Sequence, residues 1–215
     1  MAAGKGTRLR PITEQWPKPI LPIDGRAVIA TLLQQLAEEG LEPVTVVTGY
    51  LAEQVEELLD GLDARFVRQP EPEGSADAVS RALGAGAAVP AVVTAADSVF
   101  HAGDLASFVE SFLASGAAGA IAYFRGSGPV AIRVEEGQVR RVVDSKPGEL
   151  SPAPLWGLTG EIPLSDLPGP PFELAVAFQR AIDAGKPISA IEIGRTRHLT
   201  TPADVVRENF PYLGD

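Results

Sequence analysis

Short apolar runs alternate with amphipathic stretches along most of this chain. The runs are rich in β-branched residues, as buried strands are, whereas the amphipathic stretches space their apolar residues three or four positions apart, as helices do. The pattern predicts helices at 27–40, 52–61, 75–86, 104–116, 172–185 and 201–210, and strands at 44–49, 64–69, 91–97, 118–124, 155–162 and 188–193. Such an alternation is typical of an α/β fold with a parallel sheet and helices on both faces.

A different pattern follows Gly126. Two alternating runs within 130–144 meet at Glu136-Gly137, which predicts a β-hairpin. The proline-rich segment 145–171 is interpreted as a loop over an open site. Thr201, with Pro202 after it, is the expected N-cap of the last helix, and Ser75 that of the third.

Composition limits the classes of partner. The chain has 215 residues and a formal net charge of −10, from 18 basic and 28 acidic residues, so nucleic acid and anionic membranes are poor partners. The absence of cysteine excludes disulfides, thiolate metal sites and a cysteine nucleophile, and it suits a reducing cytosol. No apolar run approaches the ~20 residues of a membrane helix. We therefore predict one cytoplasmic domain, 1–215, and leave a homo-oligomer open.

Positive charge nevertheless collects in the first 18 residues, around two glycines and two prolines. These cations are Lys5, Arg8, Arg10 and Lys18. Glycine lets backbone amides converge on phosphate oxygens, and the prolines on either side of Lys18 hold its backbone extended. The spacing matches neither a Walker loop nor a dinucleotide GxGxxG loop. It favours a polyphosphate cradle; the alternative is a solvated basic segment.

The stretches AAGKGTRLRPIT and PKPILPIDGRAVI closely resemble the signature of the sugar-1-phosphate nucleotidylyltransferases, whose loop is roughly G-x-G-T-R-x-x-P-x-T followed by a PKP element. The resemblance implies a three-layer α/β/α Rossmann-like fold, with a mostly parallel mixed sheet and a small β-hairpin insertion. It implies a nucleotide-binding half at 1–125 and a sugar-phosphate-binding half at 126–215. The implied reaction joins an NTP to a sugar-1-phosphate with Mg²⁺, giving an NDP-sugar and pyrophosphate.

The resemblance also implies roles for single residues. Arg8, Lys18 and Asp97 match catalytic positions, and Asp97 is also the expected magnesium ligand. QPEPEGSADAV resembles the segment that holds the base, and DSKPGE resembles an EKP element whose lysine contacts the sugar phosphate. The implied substrate-binding residues are Ala3, Gly4, Lys5, Gly6, Thr7, Gln69, Gly74, Ser75 and Lys146.

Three departures from the family pattern leave alternatives open. His198 stands where the family has its second metal-binding aspartate, so it, Glu192 or the triphosphate alone could complete the site around Asp97. Ser145 replaces the glutamate of the EKP element, which leaves the sugar undefined. In the family a β-strand precedes the glycine loop. Here only Met1, Ala2 and Ala3 stand before Gly4, so we expect that strand to be missing. The alternative functions are a regulatory nucleotide-binding subunit with weak catalysis, or nucleotidyl transfer to phosphocholine or molybdopterin.

Overall fold

The computed structural model describes residues 1–126, 130–144 and 148–213. Its helices are α1 (Val28–Glu38), α2 (Ala52–Leu58), α3 (Ser75–Gly84), α4 (Asp104–Ser115), α5 (Leu174–Asp183) and α6 (Pro202–Asn209). Its strands are β1 (Pro22–Ile23), β2 (Arg26–Ala27), β3 (Val44–Thr48), β4 (Ala64–Arg68), β5 (Ala91–Thr94), β6 (Ser98–Val99), β7 (Gly119–Arg125), β8 (Ala131–Glu135), β9 (Gln138–Asp144), β10 (Leu150–Leu158), β11 (Ile188–Glu192) and β12 (Arg197–His198). Every predicted helix and strand is present, with shifted ends.

The chain forms two compact units. The first comprises Met1–Pro72, Ala95–Phe100 and Thr196–Asp215, and the second comprises Glu73–Thr94 and His101–Arg195. Each unit draws on distant parts of the sequence. The predicted single domain, with halves at 1–125 and 126–215, stays a prediction.

The first unit is built on the parallel strands β3 and β4. Ahead of the glycine loop, Ala2 forms a single parallel bridge to Thr48 of β3, and its N–H donates to the Val47 carbonyl at 2.7 Å. One apolar cluster packs Ala2 with side chains of α1, α2 and β3. A second cluster joins Leu9 of the loop to Leu199 near the C-terminus. The loop is therefore attached to the core on both sides.

The second unit contains a mixed six-stranded sheet in the order β5-β10-β7-β11-β9-β8. The ladder orientations make β5, β7, β8 and β11 run one way and β9 and β10 the other. Helices α4 and α5 cover opposite faces: a Cβ on Gly157, which pairs with Ala120, would meet Phe112 at 2.6 Å, and one on Gly119 would meet Phe178 at 2.7 Å. This unit therefore has three layers.

Two details of the second half test the sequence predictions. The hairpin at Glu136-Gly137 is confirmed as β8–β9. The interpretation of 145–171 as loop is wrong in part, because β10 runs from Leu150 to Leu158 through two prolines. Proline has no N–H for a ladder, and the pairing of β10 with β7 shifts register between Pro152 and Trp156. The described helices include none long and apolar enough to cross a membrane.

Candidate active site

A cleft of about 280 Å³ in the first unit brings the signature residues together. It is lined by Met1, Ala2, Gly4, Gly6, Thr7, Arg8, Leu9, Lys18, Pro19, Asp97 and Thr200. The glycine loop, the proline-flanked lysine and the aspartate are thus neighbours in space. Ala3 is buried and Lys5 is exposed, and neither is among the lining residues.

The glycine loop is held in shape by its own backbone and by Thr13. Gly6 has φ 60° and ψ 36°, a left-handed conformation that favours glycine, and a short 3₁₀ turn follows at Thr7–Leu9. The buried Thr13 hydroxyl donates to the Gly6 carbonyl at 2.8 Å. A Cβ on Gly6 would lie 3.0 Å from Thr13 Cγ2. The loop is therefore fixed in place before any ligand binds, as a preorganised cradle requires.

Gly49 supports the loop from behind, and we expect Gly49→Ala to be strongly destabilising. The new Cβ would lie 2.7 Å from the Gln69 carbonyl oxygen and 2.8 Å from Ala3 Cβ, neither of which can move without the backbone. Overpacking of this kind lowers the free energy of unfolding by about 1–3 kcal/mol, measured by urea denaturation. Gly84→Ala is the control, because nothing lies within 4 Å of a Cβ there. Equal effects of the two substitutions would contradict this account.

Lys18 and Asp97, which both line the cleft, form an ion pair. The Lys18 ammonium contacts Asp97 Oδ2, and both side chains are mostly buried, with 21% and 18% exposed. Pro17, at φ −64° and ψ 142°, holds the chain extended before Lys18, and Pro19 lies buried after it. The ammonium is therefore aimed into the cleft. Each of the two charges is therefore paired with the other in the absence of a bound phosphate.

The remaining candidate metal ligands, His198 and Glu192, are not among the residues that line the cleft. His198 is opposite Ser98 in the short β6–β12 ladder and is not among the cleft-lining residues. Glu192, in the second unit, accepts from Arg125 at 2.9 Å. Among the described residues no group of three or more His, Asp or Glu could hold a metal. Asp97 is the single carboxylate among the lining residues of the described chain, a donor set that fits a magnesium ion whose other ligands are phosphates.

The segment predicted to hold the base divides between the units. Gln69 is buried in the first unit, where its N–H donates to the Thr48 carbonyl at 2.7 Å. Gly74, in the second unit, has φ 109°, and a Cβ there would lie 2.3 Å from the Phe172 carbonyl oxygen. The proposed N-cap was wrong by one residue: Gly74 caps α3, and Ser75 is its first residue.

The Ser75 hydroxyl is committed to protein contacts. It donates to Glu173 Oε2 at 2.5 Å and accepts from the Leu174 N–H at 2.8 Å. These bonds fix the start of α3 against the start of α5. The expected contact between Ser75 and a base stays a prediction. Lys146, together with Ser145, lies outside the described residues.

Thr200 lines the cleft and was not found from the sequence. Its N–H donates to Asp204 Oδ2 at 2.8 Å, as does that of Thr201 at 2.7 Å. The predicted cap of α6 is confirmed as a capping box between Thr201 and Asp204, with Pro202 at the first helical position. The Thr-Thr-Pro sequence at the start of α6 predicts the cap at Thr201. Only the fold shows that Thr200, the residue before the cap, lines the cleft.

The Asp204 contacts predict a pH-dependent anchor for this segment. Burial alone would raise the pKa of Asp204, but the N–H groups of Thr201 and Thr200 hold it below the ordinary 3.8. Asp204→Ala should lower the free energy of unfolding by about 1 kcal/mol at neutral pH. A depressed pKa stabilises above its unfolded value, so the gap between wild type and variant should persist down to about pH 4 and close below it. Urea midpoints measured against pH test this; a gap that widens in acid would contradict it.

The fold and the cleft fit the family whose model matches this chain. Residues 1–155 match the MobA-like NTP transferase domain, and the chain belongs to this family. The predicted Rossmann-like fold is confirmed by an apo UDP-glucose pyrophosphorylase structure, with a TM-score of 0.78 at 22% identity over 99% of this chain and 96% of that one.

Two curated relatives match parts of the chain. UTP–glucose-1-phosphate uridylyltransferase AglF of Haloferax volcanii is 39% identical over 83 residues, which are 37% of this chain and 34% of that protein. 2-Aminoethylphosphonate cytidylyltransferase of Lancefieldella rimae is 46% identical over 54 residues, 25% of this chain and 22% of that protein. The matched segments thus span about a third or less of each relative.

Proposed function

We propose that the protein transfers a nucleotidyl group from an NTP to a sugar-1-phosphate, giving an NDP-sugar and pyrophosphate. The observation that carries the proposal is the single cleft that holds the glycine loop, Arg8, Lys18 and Asp97. An oxygen of the sugar phosphate attacks the α-phosphorus, the bond between that phosphorus and the bridging oxygen breaks, and pyrophosphate leaves with the electron pair. Such a reaction depends on positioning and charge neutralisation more than on covalent catalysis.

The cleft residues divide these tasks. The amides of the loop from Gly4 to Thr7, with Arg8, bind the β- and γ-phosphates and stabilise the leaving pyrophosphate. Lys18 leaves Asp97 to bridge the α-phosphate and the incoming phosphate, where negative charge accumulates. The fixed Gly6–Thr13 contact keeps the amides aimed while this happens. Gln69, Gly74 and Ser75 are proposed to contact the base, and Lys146 the sugar phosphate.

Asp97 is the residue that would hold a divalent cation, which we propose to be Mg²⁺. Bound there with the triphosphate, the ion would neutralise phosphate charge and orient the α-phosphate. His198 and Glu192 remain the candidates for a further ligand. We also propose a cytoplasmic location, where NTPs are available, and leave a homo-oligomer open.

Pyrophosphate release tests the proposed function. The protein is incubated with Mg²⁺ and each of the four common NTPs, paired with a panel of sugar-1-phosphates, phosphocholine and 2-aminoethylphosphonate. Release with a sugar-1-phosphate is the expected result, and it identifies base and sugar together. Release only with a non-sugar acceptor would replace the proposed acceptor class. NTP binding by calorimetry without release from any pair would favour the regulatory alternative and overturn the enzyme proposal.

A further inference from the structure

Thr200 lines the cleft and carries a hydroxyl group, to which the proposed mechanism gives no role. Asp97 and the glycine loop line the same cleft, and all of these residues belong to the first unit. The proposed function leaves a further cation ligand open between His198 and Glu192, and neither of them lines the cleft. An oxygen of Thr200 is therefore better placed for a ligand in the cleft than either of these two side chains.

The β6–β12 ladder brings the segments of Thr200 and Asp97 together. Ser98, the first residue of β6, lies opposite His198, the last residue of β12, and the two strands are antiparallel. Asp97 directly precedes β6, and Thr200 follows β12 after one intervening residue, so both leave the ladder at the same end. Both then line one cleft of about 280 Å³. A ligand held by Asp97 is thus bound beside the segment that carries Thr200.

The backbone of Thr200 is held on both sides. Its N–H donates to Asp204 Oδ2 at 2.8 Å, at the cap of α6. On its other side, Leu199 is fully buried in an apolar cluster with Leu9 of the glycine loop. The hydrogen bond to Asp204 uses the N–H, so it leaves the Thr200 hydroxyl available to a ligand in the cleft. A fixed backbone with an available hydroxyl is what a preorganised ligand position requires.

We propose that the Thr200 hydroxyl oxygen is a second protein ligand, besides Asp97, of the divalent cation that accompanies the triphosphate. Mg²⁺ prefers oxygen ligands, and a threonine or serine hydroxyl binds it beside the phosphates in P-loop proteins. An imidazole nitrogen is softer than this ion prefers, so His198 is the poorer ligand. The inference rests on the proposed function and deepens it, because it names a cation ligand that the sequence resemblance does not indicate.

A site with one carboxylate and one neutral hydroxyl makes cation binding depend on the triphosphate. A single carboxylate neutralises only half of the charge of a divalent cation, and the Lys18 ammonium in contact with Asp97 repels the cation. The triphosphate supplies the missing negative charge, and it draws Lys18 away from Asp97 in the proposed mechanism. Cation and triphosphate should therefore strengthen each other's binding to the cleft.

Calorimetric titration with inorganic tripolyphosphate tests the inference, because this probe carries the phosphates but neither a base nor an acceptor. The Kd of tripolyphosphate is measured in a chelating buffer and again with saturating Mg²⁺. The proteins compared are wild type, Thr200→Val and Thr200→Ser. Valine keeps the shape of threonine without its oxygen, whereas serine keeps the oxygen.

Mg²⁺ should lower the Kd of tripolyphosphate for wild type. With Mg²⁺, the Kd should be about tenfold higher in Thr200→Val, since even outer groups that orient metal ligands change metal affinity by about that factor or more. Thr200→Ser should bind like wild type. Without Mg²⁺ the Kd should be the same in all three proteins, which also shows that the variants fold. Thr45→Val makes the same change on β3 of the first unit and should alter neither Kd.

Three results would overturn the inference. Equal Kd values of wild type and Thr200→Val with Mg²⁺ would show that the hydroxyl does not bind the cation. A higher Kd of Thr200→Val without Mg²⁺ would show that the hydroxyl donates to a phosphate instead. A wild-type Kd that Mg²⁺ does not lower would show that the cleft supplies no effective cation ligand.

Failure of the inference differs from failure of the proposed function. Any of these three results leaves the proposed function standing if wild type releases pyrophosphate with a sugar-1-phosphate. Conversely, the absence of pyrophosphate release with every acceptor would overturn the proposed function, whereas the tripolyphosphate affinities would be unaffected.

Discussion

Lys18→Ala is expected to lower kcat by about two orders of magnitude or more, by analogy with the loss of one preorganised group that stabilises developing charge. Lys18 is the proposed bridge between the α-phosphate and the incoming phosphate, and its ammonium already lies in the cleft in contact with Asp97. Because the charge that it meets is greatest in the transition state, kcat should fall more than the affinity for NTP. Initial rates of pyrophosphate release at saturating substrates measure the effect.

Two further lysine variants make the result interpretable. Lys186→Ala removes an exposed lysine of the second unit and should leave kcat unchanged. Lys18→Arg keeps the charge but replaces a compact ammonium by a planar guanidinium, so we expect an activity between those of wild type and Lys18→Ala. A kcat of Lys18→Ala within about threefold of wild type would contradict the proposal that Lys18 stabilises charge in the transition state.

The elements and the conformation of the glycine loop could largely be predicted from the sequence, because both depend on local signals. The glycine at position 6 takes a left-handed conformation, and Pro17 holds the chain extended before Lys18. The hairpin turn at Glu136-Gly137 and the cap at Thr201 depend on adjacent residues in the same way. Where a few neighbouring residues determine the backbone conformation, the sequence pattern is sufficient to predict that conformation.

The contacts between distant segments could not be predicted. The pairing of Lys18 with Asp97 needs the loop and a segment from the middle of the chain to meet in one unit. Thr200 lines the cleft, and its neighbour Leu199 belongs to the same apolar cluster as Leu9, an arrangement that no periodicity reveals. Ser75 has the residue type of an N-cap, but its hydroxyl bonds to Glu173. A tertiary contact thus occupies the Ser75 hydroxyl that the sequence pattern assigns to a helix cap.

The loop prediction over 145–171 fails at β10 for a different reason, which concerns the prolines of this strand. Proline disfavours a strand because it lacks a ladder donor, so the sequence pattern predicts a loop over 145–171. In the structure the register shift between Pro152 and Trp156 absorbs that loss, and pairing with β7 resumes on the other side. The ladder between β10 and β5 runs only from Leu155 to Leu158, beyond both prolines, so the prolines interrupt only the ladder with β7.

Asp97→Asn should have opposite effects on catalysis and on NTP binding without metal. The substitution keeps the shape of the side chain but removes the carboxylate charge proposed to hold Mg²⁺, so kcat with Mg²⁺ should fall by about two orders of magnitude or more. It also frees Lys18 from its ion pair. Without Mg²⁺, NTP should therefore bind the variant more tightly than wild type, since the ammonium no longer has to leave a carboxylate and no like charge faces the phosphates.

This double result distinguishes a metal ligand from a merely structural aspartate. Calorimetric titration with NTP in a chelating buffer measures the gain in affinity, and pyrophosphate release over a range of Mg²⁺ concentrations measures the loss of activity. Asp183→Asn, at the end of α5 in the second unit, is the control and should change neither quantity. A structural role would weaken NTP binding and activity together, because the cleft itself would be disturbed. Weaker NTP binding without metal would therefore contradict the role of Asp97 as a magnesium ligand. Tighter NTP binding together with lost turnover is the result expected of a carboxylate that pairs with Lys18 in the absence of a cation and binds the cation when it is present.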